Sequence, residues 1–265
     1  MNGIIIITTD SLAKRAFANR LHKRSGGRVD LVIVQQTHCK PLHKRILGYV
    51  RKVGILGLPR EIWFTLLWLF LPRVRRTHSW LKARSENNRA AISWVPKTLT
   101  VESVNTDKVR EIIAAYSPKL IVIWGGMIVK TQIINLASHV INMHFGWCPY
   151  YRGTHCNHHA ILKNDWEHVG ITIHYAVKAV DAGEIIAVIP GDPAKMPIEL
   201  FQDLNNRAEE MYFDIALRLL KDEHVSSKPQ DLSQGKNYLL KEWTYERRYR
   251  LGKLLLERTK KESSV

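Results

Sequence analysis

The stretch INMHFGWCPYYRG, residues 141–153, is an apolar run that ends in polar chemistry. Ile141 and Met143 alternate with Asn142 and His144, and Phe145-Gly146-Trp147-Cys148-Pro149 breaks the pattern at once. The run His139–His144 therefore reads as a strand, and Asn142 and His144, two residues apart, share one of its faces. In an open α/β sheet, ligands bind at the carboxyl ends of strands, near a switch in strand order. An amide and an imidazole together at such an end suit chemistry on a carbonyl. The imidazole moves a proton, and the amide N–H stabilises an oxyanion. Taken singly, each residue fits a capped strand end or a satisfied core histidine as well.

The flanking sequence places that strand in a larger frame. Gly3–Thr8, Val29–Val34, Thr98–Ser103 and Leu120–Trp124 are short apolar runs that read as strands. Between them, Leu12–Arg24 follows a cap at Asp10 or Ser11, and Asp107–Tyr116 follows one at Asn105 or Thr106. A short helix near Thr131–Ala137 leads into the central strand. This βαβ rhythm predicts an α/β fold: a Rossmann-like, mainly parallel sheet with helices on both faces. Two regions depart from it. Residues 40–90 form an insertion with no strand pattern, dense in Lys, Arg and Trp and expected to be helical. Residues 196–265 form a helical C-terminal extension, with an amphipathic helix over Glu199–Leu220 and a basic one over Thr244–Lys261. Residues 1–195 then make up the catalytic domain.

Composition narrows the partners. The chain of 265 residues carries a formal charge of +16, which favours anionic ligands, nucleic acid or an acidic membrane surface. Cys39, Cys148 and Cys156 show neither metal-type pairing nor a disulfide framework, which points to a reducing cytoplasm. The N-terminal apolar run, four isoleucines with no basic region before it, does not read as a secretory signal. The longest apolar stretch, Ile62–Pro72, is too short to span a bilayer. We expect it to pack on the domain or at a dimer contact. A helix lying on an anionic inner membrane surface is the alternative.

A third polar group is needed to orient the imidazole. Asp181, in VKAVDAGEII, follows the predicted strand Gly170–Tyr175, and the chain from His144 is long enough for a crossover back to the same pocket. These segments together resemble a known family. Asn142-Met143-His144, then Pro149-Tyr150-Tyr151-Arg152-Gly153, then GITIH, then Asp181-Ala182-Gly183 stand in the order seen in folate-dependent formyltransferases. That family includes glycinamide-ribonucleotide, methionyl-tRNA and sugar-amine enzymes. The resemblance covers roughly residues 95–192.

The resemblance implies that His144 shuttles the proton of an attacking amine, Asn142 donates to the oxyanion, and Asp181 supports the imidazolium and helps deprotonate the amine. It implies N10-formyltetrahydrofolate as formyl donor, with no metal. It places the donor's pterin between Gly125, Gly126, Met127, Ile128 and Val129 on one side and Val177, Lys178, Ala179 and Val180 on the other. Relatives often carry Asp-Thr-Gly where this chain has Asp181-Ala182-Gly183, and an acidic residue near Lys178.

Other residues are expected at the acceptor. Thr9 and Ser11 sit at a helix N-terminus that either holds phosphate or is an ordinary cap. Arg152 suits substrate phosphate and loop anchoring equally. His155, with His158 and His159, is expected to line a substrate pocket or to sit on a short helix. Zinc ligation by His155, Cys156, His158 and His159 is the weaker reading, because no second Cys/His pair follows. The acceptor that fits best is an amino sugar on an anionic nucleotide or lipid carrier. Methionyl-tRNA enzymes carry a further C-terminal β-domain, whereas residues 196–265 read as helical. A nucleic-acid-binding protein on the same fold and a hydrolase of the same donor are the rival functions.

Overall fold

The structure, a computed structural model, describes residues 3–36, 41–84, 91–125 and 128–262. The main sheet contains β1 (Ile4–Thr9), β2 (Val29–Gln35), β3 (Thr98–Val101), β4 (Leu120–Trp124), β5 (His139–His144), β7 (Gly170–Tyr175) and β8 (Ile185–Pro190). β6 (Tyr151–Gly153) and β9 (Lys236–Tyr238) form a separate parallel pair. The helices are α1 (Leu12–Arg24), α2 (Leu42–Val53), α3 (Leu58–Phe70), α4 (Pro72–Arg76), α5 (Asp107–Tyr116), α6 (Thr131–Ile134), α7 (Cys156–Leu162), α8 (Pro197–Leu220) and α9 (Tyr245–Glu262).

The strand order is β3-β2-β1-β4-β5-β7-β8. The first five in that order are parallel, and the order reverses between β1 and β4. β7 and β8 are antiparallel. The chain from His144 returns to the same pocket, as the sequence suggested, but by way of an antiparallel strand and not a crossover. It comes back antiparallel, with Asn142 opposite His174 and His144 opposite Thr172. β3 ends at Val101 and α6 at Ile134, each short of the predicted span.

Alternation along each strand divides the core in two. Ile4, Ile6, Val122, Ile141 and Met143 face α1 and α8. Ile5, Ile7, Ile121, Ile123 and Val140 face α5 and α6. Helices thus cover both faces. α1 is positioned by Ser11, whose hydroxyl accepts from the Lys14 N–H at 3.3 Å, and it buries Phe17, Ala18 and Leu21. α8 lies across the centre of the sheet. Its buried Tyr212 hydroxyl meets the carbonyls of Ile123 and Ile141 at 2.8 and 2.9 Å. Glu209, also on α8, is buried between Arg84 at 2.5 Å and Arg20 at 3.2 Å.

The insertion is helical over its described residues, as expected, and folds as a hairpin of α2 and α3 continued by α4. Its position 40 and positions 85–90 lie outside the described residues. The hairpin packs on α9 through a buried carboxylate. Glu61 accepts from the Tyr245 N–H at 3.0 Å, at the start of α9, and from the Tyr49 hydroxyl.

Candidate active site

Asn142 and His144 lie at the carboxyl end of β5, on the face that carries Val140. The segment after β7 starts beside the other end of β5, where the Ala176 N–H donates to the Val140 carbonyl at 2.8 Å. It then folds back along the sheet, and Asp181 reaches the pair. Asp181 Oδ2 lies 3.1 Å from His144 Nδ1, and Asn142 Nδ2 donates to Asp181 Oδ1 at 3.3 Å. The three residues named from the sequence therefore meet.

The fold-back needs unusual backbone. Asp181 adopts φ +48°, in the left-handed region. Gly183 follows because any Cβ there would overlap the Tyr175 carbonyl oxygen. Gln230 holds the turn from outside. Its amide donates to the carbonyls of Asp181 at 3.1 Å and Gly183 at 2.5 Å. The Gly153 N–H, on β6, donates to Asp181 Oδ2 at 3.0 Å.

His174 completes the cluster. Its Nε2 lies 3.1 Å from Asn142 Nδ2 and 3.4 Å from Asp181 Oδ1. Its Nδ1 is 2.8 Å from the Tyr175 carbonyl, which can only accept, so Nδ1 carries the proton. The Asn142 amide thus directs one N–H at His174 and one at Asp181. His174 stands in the GITIH run, but its role depends on the antiparallel register that sets it opposite Asn142. Thr172, two residues earlier, donates to the Gly146 carbonyl at 2.7 Å and accepts from the Cys148 N–H at 3.0 Å, which fixes the loop after β5.

Electrostatics separate the roles. Burial pushes the Asp181 carboxyl up, but His144, His174 and the Gly153 N–H outweigh it and hold its pKa at about 2. Asp181 is therefore ionised at neutral pH. Burial lowers the pKa of His144, and the Asp181 carboxylate opposes that shift. The other ring nitrogen, Nε2, lies 3.0 Å from the Tyr151 carbonyl. Both nitrogens face acceptors, so a second proton on this ring gains a second hydrogen bond. The imidazole is neutral by burial and preorganised to become charged.

The remaining expected residues are placed elsewhere. Thr9 ends β1 at the crevice where the strand order reverses, and it accepts from Lys14 Nζ. Burial, reinforced by the charges of Lys82 and Arg84, lowers the Lys14 pKa to about 8. The Ser11 hydroxyl is engaged in its cap. Arg152 Nη2 donates to the Leu232 carbonyl at 3.3 Å. His155 stacks on Trp243 with ring centroids 4.6 Å apart, in a cluster that also holds His158 and His159. Burial lowers the pKa of all three, to about 4 for His155 and His159. Among the described residues, no group of three His, Cys, Asp or Glu is placed to hold a metal.

Two segments flank the site strand, each partly exposed, with Val129 of the first buried in the core. One holds Gly125, at φ +61°, with Ile128 and Val129 after β4. The other is Val177, Lys178, Ala179 and Val180. Gly126 and Met127 lie outside the described residues. The Ile128 side chain is 65% exposed and that of Val177 44%.

An amide, an imidazole and an ionised carboxylate converge at one strand end of a doubly wound sheet, an arrangement able to stabilise an oxyanion and to move a proton. The sequence pattern of the family described as "Formyl transferase" matches residues 76–211, just over half of the chain. The chain belongs to that family. It is 36% identical over 101 residues to a methionyl-tRNA formyltransferase of Macrococcus caseolyticus, a match covering 37% of this chain and 31% of that protein. It thus spans about a third of the length of the curated relatives it matches.

Among solved structures, a sugar N-formyltransferase from a Shewanella species superposes with a TM-score of 0.58. That match has 14% identity and covers 96% of this chain and 88% of the other. A phosphoribosylglycinamide formyltransferase from Bacillus halodurans gives 0.51 at 14% identity, covering 83% of this chain and 96% of the other. These two likenesses show the fold.

Proposed function

We propose that this protein transfers a formyl group from N10-formyltetrahydrofolate to a primary amine. The observation that carries the reading is the meeting of Asn142, His144 and Asp181 on one open sheet face, with Asp181 ionised. When bound, the donor supplies the electrophilic formyl carbon. Gly125, Ile128 and Val129 with Val177–Val180 would hold its pterin.

The protein's part is positioning and charge. Asp181 receives hydrogen bonds from the incoming amine, and the single proton the amine loses passes through that carboxylate to His144, 3.1 Å away, whose far nitrogen donates to the Tyr151 carbonyl. As the new C–N bond forms and the bond from the formyl carbon to the donor nitrogen breaks, the same proton returns through Asp181 to that leaving nitrogen. Asn142 exchanges its longer N–H contact, the 3.3 Å one to Asp181, for the oxygen that gains negative charge. A preorganised donor of this kind is worth about 3–4 kcal/mol of barrier. Proton transfer through a positioned group adds roughly a hundredfold or more.

The acceptor we propose is an amino sugar on a nucleotide or lipid carrier. Its support is the pair of cations Lys14 and Lys82 near Thr9, at the crevice where the strand order reverses, which suits a phosphorylated carrier. The Shewanella enzyme of the same fold is described as acting on a sugar. The identity to methionyl-tRNA formyltransferases favours an aminoacyl-tRNA acceptor as the second reading.

Incubation with N10-formyltetrahydrofolate and a panel of amines, with release of tetrahydrofolate as readout, tests both. Turnover with nucleotide-linked amino sugars supports the first, and turnover with methionyl-tRNA supports the second. Release without any amine would mean hydrolysis, and no release with any acceptor would refute transfer.

A further inference from the structure

The α2–α3 hairpin carries more apolar surface than its packing uses. The inner face of α3 is engaged with α9 and the segment after α4. The Phe64 ring lies 5.5 Å from Tyr249 and the Trp68 ring 4.5 Å from His78. The outer face holds Ile62, Trp63, Leu66, Leu69 and Phe70, and all five are exposed, Trp63 by 60% and Phe70 by 76%. Their spacing, i, i+1, i+4, i+7 and i+8, makes them one continuous helical stripe. At the tip between the helices, Ile55 and Leu56 project into solvent, with Leu56 98% exposed.

Cations border this stripe. Lys44 and Arg51 on α2 and Arg73, Arg75 and Arg76 on α4 are all exposed. We propose that this face seats the protein on an anionic lipid bilayer, with the tip and the outer stripe of α3 in the boundary between headgroups and acyl chains.

Three observations select that occupant. Aromatic and aliphatic side chains on one helix face with basic residues at the rim are the chemistry of an interfacial helix on acidic lipid. No described helix is long and apolar enough to cross a membrane, so the hairpin lies on the surface. A second copy of the chain would bring two arginine rims of like sign together. A nucleic acid would satisfy the arginines and leave the apolar stripe in water. The proposal does not depend on the reading of the active site, because binding to lipid is measured without substrate.

Flotation of the purified full chain with vesicles tests it. One set is phosphatidylcholine alone, and the other is phosphatidylcholine mixed with phosphatidylglycerol. The protein is expected to float with the acidic vesicles, less so in high salt, and to stay behind with the neutral ones. The triple variant Leu56→Glu, Trp63→Glu, Phe70→Glu should lose at least about tenfold in partitioning, since each side chain removes its own apolar burial. Arg73→Gln with Arg75→Gln should lower binding to the acidic vesicles by about fivefold per charge. All of these positions are exposed, so the melting temperature should not change. Absence of flotation at low salt would overturn the proposal, as would flotation of the triple variant at the level of the parent. A dimer in solution that the triple variant abolishes would instead assign the face to a second copy.

Discussion

Replacing Asp181 with Asn preserves the side chain's shape and removes its charge. In the structure Oδ2 accepts from the Gly153 N–H at 3.0 Å and faces His144 Nδ1 at 3.1 Å, while Oδ1 accepts from Asn142 at 3.3 Å and lies 3.4 Å from His174. Whichever way the amide is flipped, its NH2 faces a donor, the Gly153 N–H on one side or the Asn142 N–H on the other, and one of those two bonds is lost. The charge itself has a measurable worth. Burial raises the pKa of Asp181, but its partners lower it further, from 3.8 to about 2. That difference corresponds to about 2.5 kcal/mol of folding stability, most of it retained because the side chain is only 12% exposed.

The sign follows from the direction of the shift. A carboxylate with a depressed folded pKa stabilises the protein above its unfolded value, and that contribution disappears as pH falls through the folded value. Asp181→Asn should therefore be less stable than the parent by about 2 kcal/mol or somewhat more at neutral pH, a drop of roughly 5 °C in Tm. The gap should shrink as pH falls from about 4 to about 2. Urea unfolding of both proteins across that range reads it directly. Formyl transfer should fall by about 10²–10⁴ in kcat. A stability gap that stays constant from neutral to acid pH would refute the reasoning, because Asp181 would then not owe its ionisation to these partners. Full activity in the variant would refute its role.

Three further expectations can be checked on the same protein. Asn142→Ala should lower kcat by about 10²–10³ with little change in KM, read by steady-state tetrahydrofolate release. Gln230→Ala should lower kcat by about tenfold by releasing the carbonyls of Asp181 and Gly183, without touching the reacting atoms. Gln230→Glu should fail equally, since an ionised carboxylate cannot donate, and a fully active glutamate variant would reduce the residue to packing. Glu209→Ala removes the carboxylate shared by Arg84 and Arg20 in the core and should cost about 3–5 kcal/mol, measured by urea unfolding.

The parallel half of the fold was legible because each strand is a short apolar run and each helix has a visible start. Ser11 caps α1 and Thr106 caps α5, as their positions before the apolar periodicity suggested. The shared face of Asn142 and His144 followed from the two-residue repeat of a strand. The partnership with Asp181 did not follow from spacing. It was visible only through the ordered motifs, because the loop reaches His144 by folding back from the far end of β5. His174 stayed hidden for the same reason, since its contact with Asn142 requires the β5–β7 register. Gln230 gave no signal at all, being a polar residue in a polar loop far along the chain. The histidines from His155 to His159 are expected on a short helix or in a pocket lining; His158 and His159 lie on α7, and His159 borders a cavity with Tyr238 and Arg247. The aromatic packing around Trp243 could not be inferred, because Trp243 belongs to a segment with no periodicity of its own.

The family match ends at residue 211, yet the supports of the Asp181 carboxylate extend beyond it. Gln230 fixes the turn that carries Asp181. β9 pairs with β6 and so positions Gly153, whose N–H donates to the same carboxylate. Two of the groups that place Asp181 therefore depend on residues after the shared core. The same tail continues into α9, the helix on which the α2–α3 hairpin rests and whose first N–H is held by Glu61. Asn142, His144 and Asp181, the groups to which the proposed chemistry is assigned, lie on β5 and the loop after β7, within the span that the family pattern covers. The tail meets the insertion, through the contact of Glu61 with the start of α9, and meets the turn that carries Asp181, through Gln230. A change in the tail can therefore shift Asp181 relative to Asn142 and His144 without altering any residue of β5.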